Sequence, residues 1–330
     1  MVQANAQTLL LADIGGTNAR FALARAGGSG FEIIAQSTWL TALYAGLGAA
    51  LDAFLEQEGR PPLKGAAVCA AGPVIGTGPQ ARIQMTNCPW DVTHEAIVEA
   101  TGLQTVALLN DFTALALALP ELGQADVAQI GGDAPQPAGT KGVLGPGTGL
   151  GVSGLVRAGD RWVPLAGEGG HVDLAPSNPR EISVIYQLMQ EFGHVSVERV
   201  LCGPGLETLY MALGALSGAK ETGKPTAMDI ANRARTGASP LASETVELFT
   251  GWLGAVAGDL ALTLGATGGI YLGGGILPRW GALFDRDLFR YRFEAKGRFK
   301  SYLAPIPVYL ITRADPAFLG LARAAENARA

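Results

Sequence analysis

Residues Thr8–Leu23 read TLLLADIGGTNARFAL: an apolar run of strand length breaks at two glycines and resumes as a second apolar run. Residues Lys141–Val156, KGVLGPGTGLGVSGLV, repeat that design of strand, glycine turn and strand. The echo predicts two similarly built lobes, each opening with a glycine hairpin. Between the hairpins, Thr41–Gly59 has helical spacing of Leu, Ala and Phe. LKGAAVCAAGPV reads as a strand that stops at Gly72-Pro73, and TVALLND as another buried strand. FTALALAL then starts a helix that Pro120 halts. Strands alternating with helices predict a mostly parallel α/β sheet. The Gly- and Pro-rich Gly131–Thr140 predicts a connecting loop. Beyond it, Ile182–Gly193, Gly205–Leu216 and Ala242–Leu264 read as helices, and GGIYLGGGILPR as a late strand ending in glycines.

Composition narrows the function class. The 330 residues are 48% hydrophobic and 16% charged, which suits a large core and argues against disorder. A net charge of −5 gives no electrostatic reason to expect nucleic acid. The basic, aromatic FRYRFEAKGRF (Phe289–Phe299) is read as a solvated helix face with snorkelling Arg and Lys. The three cysteines, Cys69, Cys88 and Cys202, lack metal-ligand spacing and read as reduced, buried thiols in a cytoplasmic protein. The N-terminus has no basic n-region, and no run is long enough for a membrane span, so no membrane partner is expected.

The polar residues cluster at the breaks. DIGGT (Asp13–Thr17) and GPGTGLG (Gly145–Gly151) each set a Thr beside glycines at a turn. Such turns let backbone N–H groups point at an anion, and the Thr hydroxyl adds a donor. Neither is a P-loop, and GPGTGLG misses the dinucleotide spacing by one residue. Asp13, just before its turn, suits a water on Mg²⁺ beside a phosphate. Asn110-Asp111 interrupts the oily VALLNDFTALALAL (Val106–Leu119). Both residues are favoured helix caps, but strand C-termini are also where α/β sheets collect ligands. An Asp there can take a hydroxyl proton while Asn110 bonds a neighbouring hydroxyl. GEGGHVD (Gly167–Asp173) brings Glu168 and His171, and GHVSVERVLCGPG brings Glu198. Carboxylates, an amide and an imidazole suit adjacent sugar hydroxyls.

Taken together, ADIGGTNARFAL, MTNCPW, LLNDFTALALALP, GPGTGLGVSGL, GEGGHVDLAP, GHVSVERVLCGPGLETLY and GGIYLGGGILPR resemble the bacterial glucokinase family, in its order, from about Leu9 to about Gly320. The resemblance implies a two-lobed, actin-like (ribonuclease H-like) α/β ATPase fold with a cleft between the lobes. It implies a small lobe over residues 1–121, to which the tail 312–330 returns, and a large lobe over 122–311. It implies ATP and Mg²⁺ as cofactors and phosphorylation of the glucose 6-hydroxyl, giving glucose 6-phosphate and ADP. By position, Asp111 resembles the catalytic base, and Asn110, Glu168, His171, Glu198 and Asn87 resemble the sugar ligands. Ala12, Asp13, Ile14, Gly15, Gly16 and Thr17 resemble the first phosphate loop, with Asp13 reaching the metal through water. Gly147 and Thr148 resemble the second loop, and Gly273, Gly274 and Gly275 the adenosine-side turn. A cytoplasmic enzyme is implied, and a homodimer is among the family's states. The cysteine-rich zinc motif of the related repressor–kinase group is absent. The rival readings are a kinase for another hexose and a sugar-sensing regulator on the same fold. The residues before Leu9 are too few for the regulator's helix-turn-helix.

Overall fold

The computed structural model describes residues 8–27, 30–85, 88–218 and 223–328. Those within Met1–Gly123, Trp162–Ala166 and Arg313–Ala330 form one compact unit, and those within Gln124–Arg161 and Gly167–Thr312 form another. The short segment Trp162–Ala166 carries no sequence signal that assigns it to the first.

The first unit is built on a five-stranded sheet in the order Gly30–Leu40, Asn18–Gly27, Thr8–Ile14, Leu63–Ala70, Ala107–Asn110. The sheet is mixed rather than mostly parallel: the first three strands form an antiparallel meander, and the last two run parallel to Thr8–Ile14. The reason is connection length. A glycine turn of a few residues can only return the chain antiparallel, whereas a crossover through a helix delivers a parallel strand. Leu47–Gln57 is such a helix. The sequence reading ran helical spacing from Thr41; the chain there makes one short 3₁₀ turn before the helix begins. Phe21, Trp39 and Phe54 pack their rings together over this sheet, with centroids 5.4 to 6.0 Å apart.

Register sets up the chemistry. In the parallel pairings Ile14 stands beside Ala70, and Ala70 beside Asn110. The strand ends leading into the Gly15–Thr17 turn and into Asp111 therefore share one edge of the sheet. The helix after Asn110 spans Asp111–Ala118. The C-terminal helix Ala317–Asn327 crosses it where Gly320 meets the carbonyl of Ala114, an approach that any side chain at 320 would block.

In the second unit the strands Leu150–Ala158, Lys141–Pro146, Ile270–Leu272, Val308–Ile311 and Val127–Gly131 lie side by side in that order. The hairpin Lys141–Ala158 is again antiparallel, while Ile270–Leu272 runs parallel to both its neighbours. The helix Pro240–Leu264 is the spine of the core: Phe249, Trp252, Leu253, Ala257 and Ala261 are fully buried along it. Trp252 Nε1 also donates to the carbonyl of Ala175 at 3.1 Å.

The expected solvated face of Phe289–Phe299 forms only in part, at Tyr291 and Gly297–Phe299. Phe289 and Phe293 on the helix Arg286–Glu294 are fully buried. Arg292 Nη1 meets Glu181 Oε1 at 2.6 Å, and the Glu181 side chain has no exposure. Glu181 also accepts Ser177 N at 2.7 Å and Asn178 Nδ2 at 2.9 Å. A buried ion pair with its remaining lone pairs satisfied can persist in the core. Composition could not reveal that Glu181, far away in sequence, faces this helix.

Candidate active site

Each glycine turn is closed by backbone hydrogen bonds. In the first, Gly15 N donates to Asn18 O at 2.8 Å, and Thr41 N holds the carbonyl of Thr17 at 3.0 Å. In the second, Gly147 N donates to Gly149 O at 2.8 Å, and Gly203 N holds the carbonyl of Gly147 at 2.8 Å. The carbonyls are thus tied back. Among the described residues no acceptor takes the N–H of Gly16 and Thr17, or of Thr148 and Gly149. Two consecutive open donors at each turn make an anion cradle.

Asp13 lies at the end of its strand rather than capping the turn. Its Oδ2 accepts Arg20 Nη1 at 2.9 Å, and its Oδ1 lies 3.5 Å from Cys69 Sγ. Arg20 is held from its other side by Asp315 Oδ1 at 3.3 Å. Burial pushes the Asp13 carboxyl up from its ordinary range, against the pull of Arg20. Burial, together with the charges of Asp13 and Asp111, pushes the Cys69 thiol well up. Both carboxylates therefore act on the same small region of the sheet edge. A carboxylate has about four lone-pair sites, so Asp13 retains acceptors beyond Arg20 and Cys69. Among the described residues no group of three or more His, Cys, Asp or Glu could cage a metal. A lone carboxylate beside a phosphate cradle fits Mg²⁺, which keeps most of its waters and is held mainly through phosphate.

The structure separates the roles of Asn110 and Asp111. Asn110 is the cap: its Oδ1 accepts Phe112 N at 2.9 Å and Thr113 N at 3.2 Å, and its Nδ2 donates to Gly72 O at 3.2 Å. Asp111 occupies the first helical position, where its Oδ1 accepts Phe112 N at 2.9 Å. The helix N-terminus favours a carboxylate there by about 0.3–1 kcal/mol. Asp111 is also only half-buried. These features offset the cost that an acid in an oily run would otherwise incur.

In the second unit, Glu198 and His171 come together. Glu198 sits on a short 3₁₀ turn, Val197–Arg199. Its Oε2 accepts Leu150 N at 2.7 Å, and its Oε1 lies 4.0 Å from His171 Nε2. The absence of a side chain at Gly149 makes room for that carboxylate. Glu168 precedes the turn Gly169–His171, and its carbonyl accepts His171 N at 3.0 Å. Asp173 Oδ1 lies 2.8 Å from His194 Nε2. Asn87 lies outside the described residues.

Gly273–Gly275 pack directly behind the second turn. Gly273 N donates to Leu144 O at 2.9 Å. Gly274 has φ +81° and presses on the carbonyl of Pro146, so both its conformation and its neighbour require glycine. From here opens a cavity of about 710 Å³, lined by Gly147, Thr148, Glu207, Met228, Gly275 and Ile276 among others. That volume is in the range of a drug-sized ligand site. Thr148 and Gly275, far apart in sequence, share its wall. Sequence reading did not find Glu207, Met228, Asn232 and Arg279, which also line it. The capping box of Thr226 and Asp229 is a local signal that could have marked the helix Ala227–Arg235. Nothing local reports that this helix would wall a cavity with Gly147.

The sequence model of a family described as Glucokinase matches residues 10–328. A glucokinase of Chromobacterium violaceum is 50% identical over 313 residues, covering 95% of this chain and 88% of that protein. The bifunctional protein glk of Paraburkholderia xenovorans is 46% identical over 312 residues, 94% of this chain; the chain spans about half, 48%, of that relative. The crystal structure of a glucokinase from an Antarctic psychrotroph superposes with a TM-score of 0.88 at 35% identity, covering 97% of this chain and 99% of that one.

Proposed function

This chain belongs to the glucokinase family, and we propose that it transfers the γ-phosphoryl group of ATP to the 6-hydroxyl of D-glucose, with Asp111 as the general base. The observation that carries this reading is the position of Asp111, at the first helical residue after the strand end that shares a sheet edge with the Gly15–Thr17 turn. Asp111 takes the 6-hydroxyl proton as that oxygen attacks phosphorus in line. Proton transfer of this kind is worth about 10²–10⁴-fold. Glu198, His171 and Glu168 orient the sugar through its other hydroxyls, and the spare Nδ2 proton of Asn110 serves one more. The open N–H pairs at Gly16-Thr17 and Thr148-Gly149 bind the phosphate oxygens on which charge is spread during transfer. Bound with the nucleotide, Mg²⁺ supplies charge neutralisation, and Asp13 would hold one of its waters.

The setting we propose is cytoplasmic, where the free thiols Cys69, Cys88 and Cys202 stay reduced. Among the described residues no helix is long and apolar enough to cross a membrane. The assembly we propose is a homodimer, which sedimentation equilibrium checks. The activity is tested by a coupled assay with glucose, ATP and Mg²⁺, run beside a panel of hexoses. A higher kcat/KM for mannose, fructose or an N-acetyl sugar would replace glucose as the substrate.

A further inference from the structure

The run GGILPR (Gly274–Arg279) ends on an arginine. We infer that Arg279 is the cation that recognises the phosphate chain of the nucleotide, an inference that rests on the reading of the 710 Å³ cavity as the nucleotide site. The short helix Ile276–Trp280 projects Arg279 into the cavity wall. Its base is rigid: Leu277 and Trp280 are buried on either side, and Trp280 packs against Phe249 with ring centroids 5.0 Å apart. The guanidinium folds back over the glycine turn, with Cζ 3.8 Å from the point where a side chain on Gly275 would begin. Gly274, next to it, touches Pro146, the residue before the second phosphate turn. Arg279 therefore stands near the turn that offers the open N–H groups of Thr148 and Gly149, while Met228 and Ala231 line apolar wall elsewhere in the same cavity.

Charge accounting singles this residue out. The cavity has two arginines in its lining, Arg235 and Arg279. Arg235 Nη1 is engaged with Asn232 Oδ1 at 2.6 Å. The cavity's carboxylate, Glu207, accepts Ala227 N at 3.2 Å and lies 3.5 Å from Lys224 Nζ. No acceptor among the described residues takes the Arg279 guanidinium. It is an exposed planar cation on a helix whose Leu277 and Trp280 are buried, with all five donors available, the group suited to bidentate contact with phosphate oxygens.

Calorimetric titration of the full chain with adenosine, AMP and ADP tests this, using wild type, Arg279→Gln, Arg279→Lys and Arg235→Gln. Hydrogen bonds to charged groups are worth about 1.5–3 kcal/mol. Arg279→Gln should therefore weaken AMP or ADP by about tenfold or more while leaving adenosine within about twofold. Arg279→Lys should fall between, keeping the charge but losing the fork. Arg235→Gln removes the same charge from the same cavity and should leave the ADP-to-adenosine ratio as in wild type. An unchanged thermal midpoint shows that each variant is folded. Equal losses for adenosine and ADP in Arg279→Gln, or no loss for either, would overturn the assignment while leaving the nucleotide site standing. Failure of wild type to bind any of the three would remove the site itself, and the inference with it.

Discussion

Glu198 Oε2 accepts the backbone N–H of Leu150 at 2.7 Å, joining a turn to the return strand of the second glycine hairpin. The same carboxylate places Oε1 4.0 Å from His171 Nε2, so one side chain fixes a backbone and faces an imidazole. Glu198→Gln keeps an acceptor for Leu150 and should retain the fold, with glucose KM raised. Glu198→Ala leaves a backbone donor without its partner and should lose stability of about 1–3 kcal/mol as well. Denaturant unfolding of the two variants beside their glucose KM separates the effects. Equal stability losses in both would show that the carboxylate acts only in folding.

Asp111→Asn should lower kcat by about 10²–10⁴-fold. Because Asn110, not Asp111, caps the helix, the thermal midpoint should move little and glucose should still bind. Single-turnover kinetics with calorimetric glucose binding check this. A wild-type rate in Asp111→Asn would remove the base assignment. Asn110→Ala should lower helix stability by about 0.5–2 kcal/mol from the lost cap and weaken glucose binding through the lost amide.

Glu181→Ala removes the carboxylate from Arg292, whose side chain is 11% exposed and keeps, among the described residues, only Ser177 Oγ at 3.1 Å. Removing one partner of a buried pair costs about 3–5 kcal/mol. Urea unfolding should show that loss, and replacing both partners with apolar residues should restore part of it. A loss below about 1 kcal/mol, the level of exposed ion pairs, would show that water reaches the site.

Cys202 caps the helix Gly203–Ser217, its Sγ accepting Gly205 N at 3.2 Å and donating to Glu198 O at 3.1 Å. Burial pushes its thiol up to about 11, from an ordinary 9.0. The folded state therefore holds the proton more tightly than the unfolded state does. That contribution is complete below pH 9 and is lost as pH rises toward 11. The loss is on the order of 3 kcal/mol, two pKa units at about 1.4 kcal/mol each. Thermal midpoints from pH 8 to 11 should fall less steeply in Cys202→Ser, whose hydroxyl caps equally well and does not titrate there. Parallel curves would show that other groups govern the alkaline transition.

Both glycine hairpins, the helix start after Asn110 and a helix over Ala242–Leu264 were legible from the chain alone. Each is a local matter: turn chemistry, a cap and hydrophobic period are written in residues a few positions apart. The same holds for the polar knots containing Glu168, His171 and Glu198, which stand out because charge is scarce in their apolar surroundings. Locality ends where partners are distant. Nothing in Phe289–Phe299 says that Arg292 will meet Glu181, 111 residues earlier. Nor does GHVSVERV announce that Glu198 will take the N–H of Leu150, 48 residues before it. The mixed sheet, the choice of Asn110 over Asp111 as cap and the cavity wall shared by Thr148, Gly275 and Arg279 came from packing. Which donor meets which acceptor depends on how strands register and helices cross, and those energies are summed over contacts that no short window of sequence contains.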